Sequence, residues 1–300
     1  MIIPRLSNLI TNNKALFLAY DQGLEHGPTD FNLRNVDPEY ILDIALEGKY
    51  DGVILGHGVA EKYYHGPYKD VPLIIKLNGK SSLTNISPFS TQICSVKRAV
   101  QLGAKAVGFV IYDGSEQEPK MFEQFGKIVE EAHDLGIPVI AWMYPRGRSI
   151  PNELSTETLA YSARIGLELG ADIVKIKYND DVEGYKWVVK SAGRTKLVVA
   201  GGSKRSNPEF LKMVQEVMLT GATGIAVGRN IWQSEKPIAL SKALREIVHN
   251  GKSAKDVMHY LEWFFLFLCT LPHSFKIFFI WICYIFIFNS YCGRNWRHCQ

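Results

Sequence analysis

Two lysines interrupt an otherwise apolar strand in this sequence. The heptapeptide Asp172–Tyr178 (DIVKIKY) follows Gly170 and stops at Asn179-Asp180-Asp181, which is the size and punctuation of a buried strand. Side chains alternate faces along a strand, so Ile173, Lys175 and Lys177 share one face while Val174 and Ile176 share the other. With the valine and isoleucine packed under helices, both lysines point into a sheet or barrel. An ammonium in apolar surroundings, beside a second positive charge, gives up its proton more easily. The neutral amine can then attack a ketone to form a Schiff base, so Lys175 is the candidate nucleophile. A lysine-bearing face turned to solvent is the competing reading of the heptapeptide alone.

Other residues of suitable type stand at strand ends. Asp21 follows the apolar run Ala15–Tyr20 and opens a Gly/Pro-rich loop to Pro28. Parallel α/β folds place chemistry at such positions, although an aspartate there can equally cap a turn. Tyr144 ends the run Pro138–Tyr144 (PVIAWMY), its hydroxyl where a substrate would wait. Trp142 shares its face and reads on its own as core. Lys76 interrupts a second apolar run, Val71–Leu77, and two such interruptions point to a polar interior at one end of a barrel. Gly201-Gly202-Ser203-Lys204 and Gly228-Arg229-Asn230 each follow a short apolar strand. Glycines there let backbone amides converge on an anion, and ordinary turns are the alternative.

The elements that must position these residues repeat. Strands are predicted to begin near residues 15, 52, 71, 106, 138, 172, 196 and 224. Helical segments fall between most of them. Asp37-Pro38-Glu39 has the cap and first-turn proline of a helix start. Further helices are expected from after Ser90 through Ala99, and over 117–135, 156–169, 185–191 and 208–220. In the second of these Phe122, Phe125, Ile128, Val129 and Ala132 are spaced for one face. Eight βα units argue for a closed (β/α)8 TIM barrel, in which the loops after the seventh and eighth strands form a phosphate site. No Gly-x-Gly-x-x-Gly follows the first strand, so a dinucleotide site is not expected.

The chain has 300 residues, 47% of them hydrophobic, enough for one large core. A net charge of +4 without basic runs argues against nucleic acid as a partner. Only Cys94 precedes residue 269, and the eight histidines are scattered, so neither a disulfide framework nor a metal site is expected. The N-terminus lacks the pattern of a signal peptide, and a cytoplasmic protein is the default. The composition divides the chain into a barrel over 1–262 and a hydrophobic extension over 263–300. From Phe264 onward there are no acidic residues, eight of the fifteen phenylalanines and four of the five cysteines. Lys276, Arg294 and Arg297 carry its charge, leaving the barrel nearly neutral. The longest apolar run there, Ile277–Phe288, spans 12 residues, short of the roughly 20 that cross a bilayer. Membrane association and partner binding are weighed against a non-native extension from a frameshift or misannotated coding sequence, and the last is the reading taken.

Taken together, AYDQGLEHGPTDF (Ala19–Phe31), KLNGKSSL (Lys76–Leu83), AWMYPRG (Ala141–Gly147), ADIVKIKY (Ala171–Tyr178) and the two glycine loops resemble the archaeal-type class I fructose-bisphosphate aldolases. The resemblance covers roughly residues 1–262. It implies a (β/α)8 barrel that cleaves fructose 1,6-bisphosphate reversibly through a lysine Schiff base, without cofactor or metal, in glycolysis and gluconeogenesis. It also implies a homo-oligomer. By motif, Lys175 is the Schiff-base lysine and Lys177 its neighbour. Tyr144 is the proton-transfer residue, Trp142 packs the substrate, and Asp21 lies near the reacting carbons. Gly201, Gly202, Ser203, Gly228 and Arg229 would hold one phosphate, Lys204 the second, with Lys76 a further contributor. Many relatives carry histidine where this chain has Gln22. The alternatives are a related Schiff-base aldolase or transaldolase-like synthase on another phosphorylated ketose, and a non-catalytic sugar-phosphate-binding barrel.

Overall fold

The computed structural model describes residues 5–83 and 88–261. Eight parallel strands close into a barrel: β1 (Ala15–Tyr20), β2 (Gly52–Gly56), β3 (Leu73–Lys76), β4 (Ala104–Ile111), β5 (Val139–Met143), β6 (Ile173–Lys177), β7 (Lys196–Ala200) and β8 (Gly224–Val227). Each pairs with its neighbours in sequence, and β1 pairs with β8 to complete the ring. The runs are apolar throughout because both faces are covered: inward residues fill the barrel and outward ones pack under helices. All six residues of β1 and all five of β5 are buried. The expected (β/α)8 architecture is therefore the observed one.

The α-helices longer than one turn are α1 (Pro38–Glu47), α2 (His57–Tyr63), α3 (Val96–Gln101), α4 (Glu118–Asp134), α5 (Thr156–Glu168), α6 (Val182–Ser191), α7 (Asn207–Leu219) and α8 (Pro237–Asn250), with single turns at Gly23–His26 and Arg229–Trp232. Their starts follow local capping. The Asp37 side chain accepts from the Glu39 amide at 3.0 Å, as its spacing predicts. The expectation for α6 places its start at 185, but Asp181 accepts from the Gly184 amide at 3.0 Å and starts it three residues earlier. α3 begins only at Val96, where the Ser95 hydroxyl accepts from the Arg98 amide. On α4 the buried face is Met121, Phe125, Ile128 and Ala132, with Phe122 and Val129 at its edges.

The N-terminal end of the barrel carries one polar device twice. Asp51, just before β2, accepts from the Leu16 amide at 2.7 Å and contacts His249 Nε2 of α8 at 2.8 Å. Asp172, just before β6, accepts from the Val139 amide at 2.8 Å and contacts His133 Nε2 of α4 at 2.9 Å. Each carboxylate thus fixes its strand against the preceding one; His133 comes from the helix that leads into β5, and His249 from α8, which follows the last strand of the ring. The two copies stand four strands apart.

Residues Met1–Val257 form one compact unit. Among the described residues no helix is long and apolar enough to cross a membrane. The extension singled out over 263–300 lies outside the described residues.

Candidate active site

At the carboxyl ends of the strands the barrel opens into a cavity of about 590 Å³. Asp21, Lys76, Trp142, Tyr144, Lys175, Gly201, Gly202, Ser203, Gly228 and Arg229 all line it. Lys204 does not: its ammonium donates to the Asn230 carbonyl at 3.1 Å, and Arg205, the next residue, faces the cavity instead. One residue along an irregular loop is enough to reverse a side chain.

Lys175 lies in register with Trp142 on β5 and Val198 on β7, and its side chain points inward. Its Nζ stands 5.0 Å from the centroid of the Trp142 ring. Burial lowers its pKa to about 8, with the Lys76 charge acting in the same direction and the Asp21 and Glu25 carboxylates opposing them. An appreciable fraction is therefore a free amine near neutral pH, whereas an ordinary lysine is almost wholly protonated there. Lys177 is different. It reaches the rim, where it donates to Glu153 Oε2 at 3.0 Å with Nζ 5.9 Å from the Tyr144 ring centroid.

Lys76 carries the other interior charge. Its Nζ lies 3.1 Å from Glu25 Oε1 and 3.4 Å from Asp21 Oδ2. Burial alone would lower its pKa, but Asp21 and Glu25 together raise it, so Lys76 remains a cation. Burial likewise pushes Asp21 up, but Lys76 and then Lys175 outweigh it and hold Asp21 below the ordinary carboxylate range. Tyr144 is shifted strongly upward, by burial first and then by Asp21 and Glu25, so its hydroxyl enters the reaction protonated.

The glycine loops form a separate wall. Gly202 has φ +70°, a turn conformation that favours glycine, and the amides of Gly202, Ser203 and Gly228 find no acceptor among the described residues. The Gly201 amide is not available to an anion, since it donates to the Ala226 carbonyl at 2.8 Å. This corrects the expectation for that amide: Gly201 supplies space, because a Cβ there would lie 3.0 Å from Val227 Cα. Asn230 ties the two loops together. Its Nδ2 donates to the carbonyls of Gly201 and Ser203 at 2.9 and 2.8 Å, and its Oδ1 accepts from the Arg205 amide at 2.8 Å. Arg229 lies at the rim, 3.7 Å from Asp30.

The DeoC/LacD family aldolase model matches residues 15–234. The chain belongs to the DeoC/LacD aldolase family. It is 48% identical over 249 residues to fructose-bisphosphate aldolase class 1 of Thermoproteus tenax, an alignment covering 82% of this chain and 94% of that protein. It is 38% identical over 256 residues to 2-amino-3,7-dideoxy-D-threo-hept-6-ulosonate synthase 1 of Archaeoglobus fulgidus, covering 85% of this chain and 94% of that one. Among solved structures it is similar to an archaeal fructose-1,6-bisphosphate aldolase whose catalytic lysine is covalently bound to the carbinolamine intermediate of the substrate. There the TM-score is 0.78 at 47% identity, over 81% of this chain and 97% of that one.

Several residues of this DeoC/LacD aldolase escaped sequence reasoning. Glu25 and Tyr112 join the interior cluster, the Tyr112 hydroxyl donating to Glu25 Oε1 at 3.4 Å. Arg146 stacks over Tyr112 at 5.5 Å and approaches Glu153 at 3.9 Å, so charges alternate along the rim to Lys177. Glu25 had a legible signal, its four-residue spacing from Asp21 on a turn. Glu153 and Tyr112 had none. Gly108 is the least visible: a Cβ there would lie 1.4 Å from Trp142 Cζ3, so the indole ring occupies the space that glycine leaves.

Proposed function

We propose that the chain is a class I fructose-bisphosphate aldolase, an aldehyde-lyase that cleaves fructose 1,6-bisphosphate reversibly to dihydroxyacetone phosphate and glyceraldehyde 3-phosphate. The observation that carries this reading is a buried, weakly basic Lys175 sharing one cavity with Tyr144 and Asp21, in a chain closely similar to aldolases of that name. Neutral Lys175 attacks the ketone carbon of the open-chain sugar and gives a carbinolamine. Tyr144, protonated at the outset, donates to the departing hydroxyl as water leaves and the iminium forms. The resulting phenolate takes the proton of the C4 hydroxyl while the C3–C4 bond breaks, and the electron pair passes into the iminium as an enamine. Returning that proton to C3 converts the enamine back to an iminium and leaves the phenolate, which takes a proton from the water that hydrolyses the iminium as the second product is freed. Asp21 accepts hydrogen bonds from substrate hydroxyls. The Gly202, Ser203 and Gly228 amides, with Arg229, hold one phosphate.

The wider reading is a cytoplasmic homo-oligomer acting in glycolysis and gluconeogenesis. A synthase on another phosphorylated ketose is the second reading, favoured by the likeness to the Archaeoglobus protein. Borohydride trapping with fructose 1,6-bisphosphate, followed by peptide mapping, tests the mechanism. A sugar-phosphate adduct on Lys175 is expected; an adduct on Lys177 or Lys76, or none on folded protein, defeats it. Comparing turnover of fructose 1,6-bisphosphate with that of other phosphorylated ketoses separates the two readings.

A further inference from the structure

Lys76 sits between two carboxylates where one would neutralise it. Asp21 and Glu25 leave the loop after β1, the latter on the short helical turn Gly23–His26, and both reach the ammonium on β3. The contact with Glu25 is the shorter, 3.1 Å against 3.4 Å. Glu25 is also the acceptor for the Tyr112 hydroxyl just after β4, so three parts of the chain meet at this carboxylate, whose side chain is only 16% exposed. A cation shared in this way leaves neither acid in a one-to-one pair. Asp21, the acid assigned to substrate hydroxyls, is the one with the looser contact.

We propose that Glu25 is a positioning residue for the reaction: it draws the Lys76 ammonium off Asp21, leaving an Asp21 oxygen for substrate hydroxyls, and anchors that positive charge in the cavity of Lys175. The inference rests on the aldolase reading above. The charged and titratable groups that line the Lys175 cavity are Asp21, Glu25 and His26 after β1, Lys76 on β3 with Lys80 beyond it, Tyr112 just after β4, Tyr144 and Arg146 after β5, Lys177 on its own strand with Tyr178 and Asp180 following, Arg205 after β7 and Arg229 after β8; of these, Asp21, Lys76 and Glu25 act on its charge.

Glu25→Gln keeps an oxygen acceptor for Lys76 and Tyr112 and removes only the charge. Lys76 then pairs with Asp21 alone, and kcat falls roughly tenfold while KM changes by less than about twofold. Loss of a neighbouring anion also makes the Lys175 ammonium less stable, so its titration moves to lower pH. Lys76→Met removes a cation and moves it to higher pH. Competitive acetylation with acetic anhydride over about pH 6–10, read at the Lys175 peptide by mass spectrometry, follows this titration without substrate. Opposite displacements in the two variants, with the kcat loss partly restored in Glu25→Asp, are the expected result. Wild-type kcat in Glu25→Gln overturns the proposal, as does lost kcat with an unmoved Lys175 curve, which would make Glu25 merely structural. If Glu25→Gln does not fold, Lys76→Met decides, and an unmoved curve there is again fatal. A wild-type protein that leaves fructose 1,6-bisphosphate intact would instead defeat the aldolase reading, and the acetylation curves would still decide whether Glu25 acts on Lys175.

Discussion

The two ends of the barrel hold buried charge in opposite ways. At the N-terminal end Asp51 and Asp172 each bring one oxygen, Oδ2, to both a backbone amide of the neighbouring strand and a histidine. These groups are satisfied, and they hold register. At the C-terminal end Asp21, Glu25, Lys76 and Lys175 are crowded with fewer partners than charges, and Lys175 makes no ion pair among the described residues. Desolvation without full compensation weakens a structure and raises reactivity. The same kinds of residue therefore serve stability at one end and chemistry at the other.

That contrast can be broken at either end. The largest effect belongs to Lys175→Met, which should reduce fructose 1,6-bisphosphate cleavage by more than about 10⁴-fold while leaving the barrel folded, as read by turnover and circular dichroism. Tyr144→Phe should lower kcat by roughly 10²–10⁴-fold with little change in KM, because it removes a proton and no binding surface. Gly108→Ala forces the Trp142 ring from its seat; steady-state kinetics and a melt should show about tenfold lower kcat/KM and a loss of about 1–3 kcal/mol.

At the other end the signs reverse. Asp51→Asn and Asp172→Asn should each cost about 1–3 kcal/mol in urea unfolding, with kcat within about twofold of wild type. A drop in kcat comparable to that of the Gly108 variant would dissolve the distinction between the ends. A further effect is one of pH. The folded-state pKa of Lys175, about 8, lies below the ordinary 10.5, so between them the unfolded chain binds more protons. Wild type should therefore gain stability relative to Lys175→Met as pH rises through that window. The full penalty is present below about pH 8. Melting both proteins across the interval checks the sign.

Much of this was legible in sequence because strands buried on both faces are continuous apolar runs. All eight strands lie within two residues of their expected starts. A lysine inside such a run is conspicuous, and Lys76 and Lys175 stood out for that reason. Strand alternation also directed Lys175 inward correctly. Loops lack a fixed period, so nothing in the sequence distinguished Lys204, which turns to the Asn230 carbonyl, from Arg205, which faces the cavity. Contacts between distant segments were equally hidden. Glu25 meets Tyr112 across 87 residues, and Gly108 matters only because the Trp142 ring lies against it. Such pairs leave no local pattern.

The duplicated clamp also bears on how the chain can be divided. The first four βα units hold Asp51 and His133, and the last four hold Asp172 and His249. Each half thus offers the other one carboxylate and one imidazole, in reciprocal positions. A protein cut in the turn at Leu135-Gly136-Ile137 and expressed as two fragments should reassemble through that exchange, since each fragment keeps its acid's amide partner but depends on the other for the histidine.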